Sequence, residues 1–280
     1  MRLWIQGARP RTLPAALVPV AVGTAAAAPD VVWWRAVAAL IVAVALQVGV
    51  NYANDYSDGI RGTDANRVGP ARLVGGGAVA PALVRRAAFG AFAAAAAAGL
   101  ALAVAVALWL VAVGLACIVA AWFYTGGRRP YGYSGFGELF VFVFFGLVAT
   151  VGAAFVQTEE LTALAAAAAV PVGLMASALL MANNLRDIPP DRESGKSTLA
   201  VRLGERRAGW FYAALVVAAF AVTASLAVVR PWAPIALASL VFAIPAMGLA
   251  LSRAPKSPLL NQTARLHVVF GALLAAGLAL

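Results

Sequence analysis

Long apolar stretches alternate with short polar ones along the whole chain. A helix that crosses a bilayer needs about 20 mostly apolar residues. Nine stretches fit: 13–28, 33–53, 87–104, 108–125, 139–156, 163–182, 209–228, 234–251 and 262–280. Residues 87–125 run apolar without a break, too far for one crossing, and predict a tight turn near Ala105–Trp109. Pro10, Pro14 and Pro19 predict a bent or partly buried first helix. The pattern predicts an all-α, polytopic membrane protein of nine transmembrane helices, one domain over 1–280.

Composition sharpens this picture. Apolar residues make up 63% of the chain and charged residues 11%, and mean hydropathy is +0.89. Soluble domains carry about a quarter charged residues, so disorder and an ordinary cytosolic enzyme are excluded. The one cysteine, Cys117, leaves no intrachain disulfide, and the one histidine, His267, cannot build a zinc site without other strong ligands.

The net charge of +10 would suggest nucleic acid in a soluble protein, but insertion topology accounts for it here. With an inside N-terminus, 19 of the 21 Lys and Arg fall in the inner segments: the N-terminal tail, 54–86, 126–138, 183–208 and 252–267. Only Arg35 and Arg230 fall outside. The expectation is a multi-pass protein of the cell membrane with its N-terminus on the cytoplasmic side and no nucleic-acid partner. Trp33, Trp34, Trp109 and Trp232 then form an outer aromatic belt. Arg2, Arg9 and Arg11 ahead of the first apolar run mark a helix that serves as its own insertion signal.

Polar sequence concentrates in the inner loops 54–86 and 183–208. The second span runs into Asn54-Asp55-Tyr56-Ser57-Asp58, and the sixth into Asn183-Asn184-Leu185-Arg186-Asp187. Both read N-x-x-x-D, 129 residues apart, and both follow even-numbered spans, so they share a membrane face. The first cluster comprises Asn51, Asn54, Asp55, Asp58, Arg61, Asp64, Arg67 and Arg72. A helix continuing to Asp58 aligns Asn51, Asn54 or Asp55, and Asp58 on one face, and Gly59 and Gly62 then end it. The second cluster comprises Asn183, Asn184, Asp187, Asp191, Glu193 and Lys196, with Pro189 and Pro190 breaking the helix before Asp191.

Carboxylates and amide carbonyls are ligands for a hard cation, and Mg²⁺ favours one or two carboxylates together with substrate phosphate oxygens. The interleaved Arg and Lys suit the remaining phosphate charge. A single cluster would read as a solvated loop whose ions pair locally. Two matching clusters on one face favour a site, because acids beside a membrane core are costly.

The strings NDYSDGIRGTDANRVGPARLVGGG (54–77) and NNLRDIPPDRESGKSTLAVRLG (183–204) resemble the two Asp-rich motifs of the UbiA superfamily of membrane prenyltransferases. YTGGRRPYGYSGFGE (124–138) is similar to a loop of the branch that prenylates 1,4-dihydroxy-2-naphthoate in menaquinone synthesis. The resemblance implies helices around a central cavity, a Mg²⁺ cofactor, and two substrates, polyprenyl diphosphate and 1,4-dihydroxy-2-naphthoate. It implies loss of diphosphate to give an allylic cation, attack by the ring, loss of the carboxylate and a demethylmenaquinone product.

Position by position it implies Asn54, Asp55, Asp58, Asp64, Asn183, Asp187 and Asp191 at the metal. The family's third acid in the first motif falls on Gly62, and Asp64 is the nearest acid, two residues later. Asp58, Asp187, Lys196 and Arg72 are the expected catalytic residues. Asn51, Arg61, Arg67, Arg128, Tyr131 and Asn184 are expected at the substrates.

Tyr124, Tyr131 and Tyr133 fit either cation stabilisation or interfacial anchoring. Arg128 and Arg129 fit either the naphthoate carboxylate or simple topology. Gln157, Glu159 and Glu160 read as a solvated outer loop, and His267 as an interfacial residue. The competing readings are a UbiA-type enzyme with another acceptor, such as 4-hydroxybenzoate or homogentisate, and a secondary transporter. A transporter places its polar groups near the bilayer midplane, whereas here the middles of the spans are nearly free of charge.

Overall fold

In a bilayer the backbone must satisfy its own hydrogen bonds, and apolar runs rich in Ala, Leu and Val do so as helices. The computed structural model describes residues 2–63 and 72–280, and the helices below refer to these. They are α1 (Arg2–Gly7), α2 (Pro14–Ala26), α3 (Trp33–Arg61), α4 (Pro81–Ala105), α5 (Leu110–Phe123), α6 (Gly137–Thr158), α7 (Ala163–Arg186), α8 (Ile188–Glu193), α9 (Leu199–Ser225), α10 (Ala233–Leu251) and α11 (Leu259–Ala279).

Every predicted span is helical, but their lengths differ from expectation. Seven of the described helices are long and apolar enough to cross a membrane. The other two, α2 and α5, are shorter, with 13 and 14 residues. The break between α4 and α5 falls at the predicted turn. α3 runs past Asp58 to Arg61 and stops where Gly62 turns left-handed (φ 71°). α9 starts at Leu199, well before the predicted 209, because Thr198 caps it by accepting from the Val201 amide. The helix then breaks at Gly204 (φ 74°) and resumes.

The largest core joins α2, α7, α9, α10 and α11 around Val22, Met175, Met181, Tyr212, Leu266 and Phe270. Small residues set the helix spacing. A Cβ on Gly146 would lie 2.4 Å from the Gly173 Cα, so α6 and α7 meet backbone to backbone there. Around this contact α6 widens into a π-helical stretch, Phe142–Val148. Such widened turns are often found at functional sites. Here Phe144 and Phe145 of the stretch, with Phe140 and Ala149 on either side of it, line one cavity.

Two expectations need correction. Gln157 is buried, and its Oε1 accepts from the Val32 amide at 2.8 Å. Beside it Arg35 donates to the Val156 carbonyl (3.0 Å) and pairs with Glu159 (2.9 Å). Gln157 and Arg35 thus tie the start of α3 to the end of α6, while Glu159 and Glu160 are exposed, as a solvated loop would have them. His267 is fully buried, because α11 begins at Leu259 and places it about two turns inside the helix.

Gly146→Val should force α6 and α7 apart and destabilise the protein by about 1–3 kcal/mol. The check is a lower thermal unfolding midpoint in detergent. An unchanged midpoint would show that this contact does not set the spacing.

Candidate active site

α3 and α7 deliver the two polar clusters to one cavity of about 480 Å³. Its mouth carries Asn54, Asp58, Arg72, Asn183, Asp187, Asp191 and Lys196, and its depth is lined by Ala43, Leu46, Val50, Phe144, Phe145 and Leu179. From Asp58 back to Ala43 along α3 is about 22 Å. The cavity therefore grades from charged to apolar.

Local sequence explains how the second cluster reaches the first. α7 ends at Arg186, and Pro189 and Pro190 sit in the first turn of α8, where proline is tolerated. The Asp191 amide donates to the Asp187 carbonyl (2.9 Å), which stacks the two acids' backbones. Gly195 then turns left-handed (φ 74°) and reverses the chain, and the Lys196 amide donates to the Asp191 carbonyl (2.8 Å).

Lys196 closes the site. Its Nζ lies 3.3 Å from Asp58 Oδ2 and 3.9 Å from Asp191 Oδ1, so one cation is shared by acids of both clusters. The ammonium also sits 4.7 Å from the Tyr133 ring centre. Asp58 and Lys196 are 4% and 9% exposed, so this pair is buried. The Tyr133 hydroxyl donates to Asp58 Oδ1. Burial, and then the charge of Asp58, push the Tyr133 hydroxyl above its ordinary pKa, which keeps it a donor at neutral pH.

Asp187 accepts a two-pronged contact from Arg186, 2.7 Å at each oxygen. Arg186 also donates to Asn183 Oδ1 (2.9 Å), and Asn183 Nδ2 faces Asp187 Oδ2 at 3.3 Å. Asn54 Oδ1 accepts from the Thr125 hydroxyl (2.7 Å). Arg72 lines the mouth. Tyr131 stacks on Phe140 (4.0 Å between ring centres) and donates its hydroxyl to the Ala120 carbonyl (2.8 Å), so its ring serves the cavity wall.

Several expected site residues have other employment. Asp55 is fully buried, and its two oxygens accept the Leu73 and Val74 amides at 3.0 and 3.1 Å. This fastens a loop to α3, which argues against the expected place at a metal. Asn51 borders the cavity, yet its amide donates to the Ala8 carbonyl (2.8 Å) and the Thr12 hydroxyl (3.1 Å), holding the N-terminal segment. Arg61 donates to the carbonyls of Thr125 and Gly127 and so braces the loop after α5 instead of a substrate. Arg128 is exposed and does not border the cavity. Asn184 borders it, but donates its amide to Glu138 Oε1 (2.9 Å). Asp64 and Arg67 lie outside the described residues.

Four residues escaped the sequence reading. Arg186 counted only as topology, although it sits inside the second motif. Glu138 is 5% exposed behind Asn184, and a lone acid at the head of an apolar run was a usable signal. Arg9 lines the mouth from a left-handed backbone (φ 52°), rare for a residue with a Cβ. Thr125, which contacts Asn54, had no distinguishing signal.

Among the described residues no group of three or more acidic, His or Cys side chains converges as a metal cage. The donors instead fit a metal that arrives with phosphate. Asp58 and Asp191 already share one cation, and Mg²⁺ needs no more than one or two carboxylates when phosphate oxygens complete its shell.

Comparison with known proteins gives concordant results. The UbiA prenyltransferase family pattern matches residues 16–277. A 1,4-dihydroxy-2-naphthoate octaprenyltransferase of Mycobacterium tuberculosis is 50% identical over 247 residues, 88% of this chain and 85% of that protein. A UbiA homologue from Aeropyrum pernix K1 superposes with a TM-score of 0.74 at 17% identity, over 94% of this chain and 95% of that one. A UbiA homologue from Archaeoglobus fulgidus bound to GPP and Mg²⁺ superposes with a TM-score of 0.71 at 16% identity, over 99% of both chains.

Lys196→Met should destabilise the fold by removing the buried ammonium beside Asp58, and Asp58→Asn should relieve part of that loss. The double variant is expected to be more stable than the sum of the single effects by about 0.5–3 kcal/mol. Thermal unfolding of the four proteins measures this, and strict additivity would mean the pair is not coupled.

Proposed function

Because the chain belongs to the UbiA prenyltransferase family, we propose that it transfers a polyprenyl group from polyprenyl diphosphate to 1,4-dihydroxy-2-naphthoate, releasing diphosphate and CO₂. The naphthoate branch is supported by the 50% identity to the mycobacterial enzyme of that name. The observation that carries the chemistry is the buried Lys196 ammonium, held between acids of two distant motifs at the charged mouth of an apolar cavity.

The residues divide the work by charge. Lys196 and Arg72 meet the diphosphate and favour the negative charge that grows on it as the allylic C–O bond breaks. Asp58, Asp187 and Asp191, with the carbonyls of Asn54 and Asn183, would hold Mg²⁺ against that diphosphate. When bound, Mg²⁺ would supply further charge neutralisation of the leaving group. The Arg186 fork orients the Asp187 carboxylate. The Tyr131, Phe140 and Phe144 rings offer π faces to the allylic cation. The apolar depth takes the isoprenoid tail and keeps water from the cation. The ring then forms the new C–C bond and its carboxylate leaves as CO₂.

The basic residues of the inner segments support a cytoplasmic mouth and a place in the cell membrane. Both substrates, one charged at its head and one a carboxylate, then meet at that face.

Purified protein given dihydroxynaphthoate, labelled polyprenyl diphosphate and Mg²⁺ should form a prenylated, decarboxylated 1,4-naphthohydroquinone, which air then oxidises to the quinone during product analysis. Product from 4-hydroxybenzoate alone would overturn the acceptor. Asp58→Ala and Asp187→Ala should each lower turnover by about 10²-fold or more while the protein remains folded. Chelation of Mg²⁺ should do the same. Retained turnover in either variant would remove the two-motif site.

A further inference from the structure

Asp55 stands inside the first motif but works at a different place from its neighbours. It is fully buried, and each carboxylate oxygen accepts one backbone amide of the loop that follows α3: Leu73 at Oδ2 (3.0 Å) and Val74 at Oδ1 (3.1 Å). One helical turn further along α3 lies Gly59. A Cβ there would meet Val74 Cγ1 at 2.3 Å, so the missing side chain is the notch into which Val74 fits. Two successive turns of α3 therefore hold the loop at Val74, Asp55 by charge-assisted hydrogen bonds to the Leu73 and Val74 amides and Gly59 by close packing against Val74 and Gly75.

The held segment is itself rigid. The Val79 amide donates to the Leu73 carbonyl (2.8 Å), the Gly76 amide to the Arg72 carbonyl (3.1 Å) and the Gly77 amide to the Val74 carbonyl (2.9 Å). Leu73 is 1% exposed and lies so close to Gly7 that a Cβ on that glycine would come within 2.6 Å of it. The residue immediately before this anchored pair is Arg72, which lines the cavity mouth.

We propose that Asp55 and Gly59 form a clamp that sets the position of Arg72 at the cavity mouth, making Asp55 a positioning residue for diphosphate binding and not a metal ligand. The inference rests on the reading above that Arg72 meets the diphosphate. A carboxylate is required at position 55 because both oxygens accept. An asparagine offers one acceptor and turns its NH₂ toward the second loop amide, donor against donor.

The test is binding of geranyl diphosphate with Mg²⁺ to the purified full chain, followed by steady-state kinetics. Asp55→Asn and Gly59→Ala should each weaken binding about tenfold and raise KM more than they lower kcat, with the Mg²⁺ concentration for half-maximal rate unchanged. Asp55→Asn combined with Arg72→Ala should bind no more weakly than Arg72→Ala alone, since the clamp acts through that arginine. Val74→Gly should restore binding to Gly59→Ala by reopening the notch, since both Val74 Cγ1 (2.3 Å) and Val74 Cβ (2.5 Å) stand in the way of the new Cβ. This repair tests the clamp without altering Asp55, even if Asp55→Asn does not fold.

Additive losses in the double variant, a raised Mg²⁺ requirement in Asp55→Asn, or full binding in Gly59→Ala would overturn the clamp. If the wild-type chain binds no geranyl diphosphate, the prenyl-diphosphate reading itself falls, and the clamp's role with it.

Discussion

A carboxylate withdrawn from water at the edge of a membrane bundle must find a cation or lose its charge, and the rest of the site follows from how Asp58 meets that demand. Its partner comes from 138 residues away. Bringing Lys196 there requires the stop at Arg186, the prolines of α8 and the left-handed turn at Gly195. The same path carries Asp187 and Asp191 to the mouth. The pair thus joins the halves of the chain and assembles the polar rim in one step. The protein's own cation keeps acids of both clusters satisfied.

The apolar part of the bundle supports this rim by being rigid and narrow. α7 packs through small residues, and at Gly146 and Gly173 it touches the backbone of α6. That contact adjoins the π-helical stretch, which aims aromatic rings from successive turns into one cavity. At the other end of the bundle, Gln157 and Arg35 bind backbone groups across α3 and α6. The helices bounding this space are thereby fixed at both ends.

Much of this was legible in the chain. Apolar runs of membrane length located the helices, and the repeated N-x-x-x-D after the second and sixth spans located the rim. What could not be read was the partner of each polar side chain. Asn51, Asp55 and Arg61 lie in the right motif, but Ala8, Leu73, Val74, Thr125 and Gly127 bind them through backbone groups that leave no trace in residue type. His267 was misplaced because a helix boundary shifted by a few residues decides between interface and interior. Nothing beside Glu138 in the chain names its role, because its partner, Asn184, comes from 46 residues away.

The grading of the cavity from charged rim to oily depth has a further consequence. It makes the space a sorter of amphiphiles. A molecule with one anionic end and one greasy end has a single comfortable pose, and the reverse pose would strand charge in hydrocarbon. Selection among such molecules is therefore made first by their polarity profile. The identity of the tail, beyond its oiliness, carries little weight in that choice.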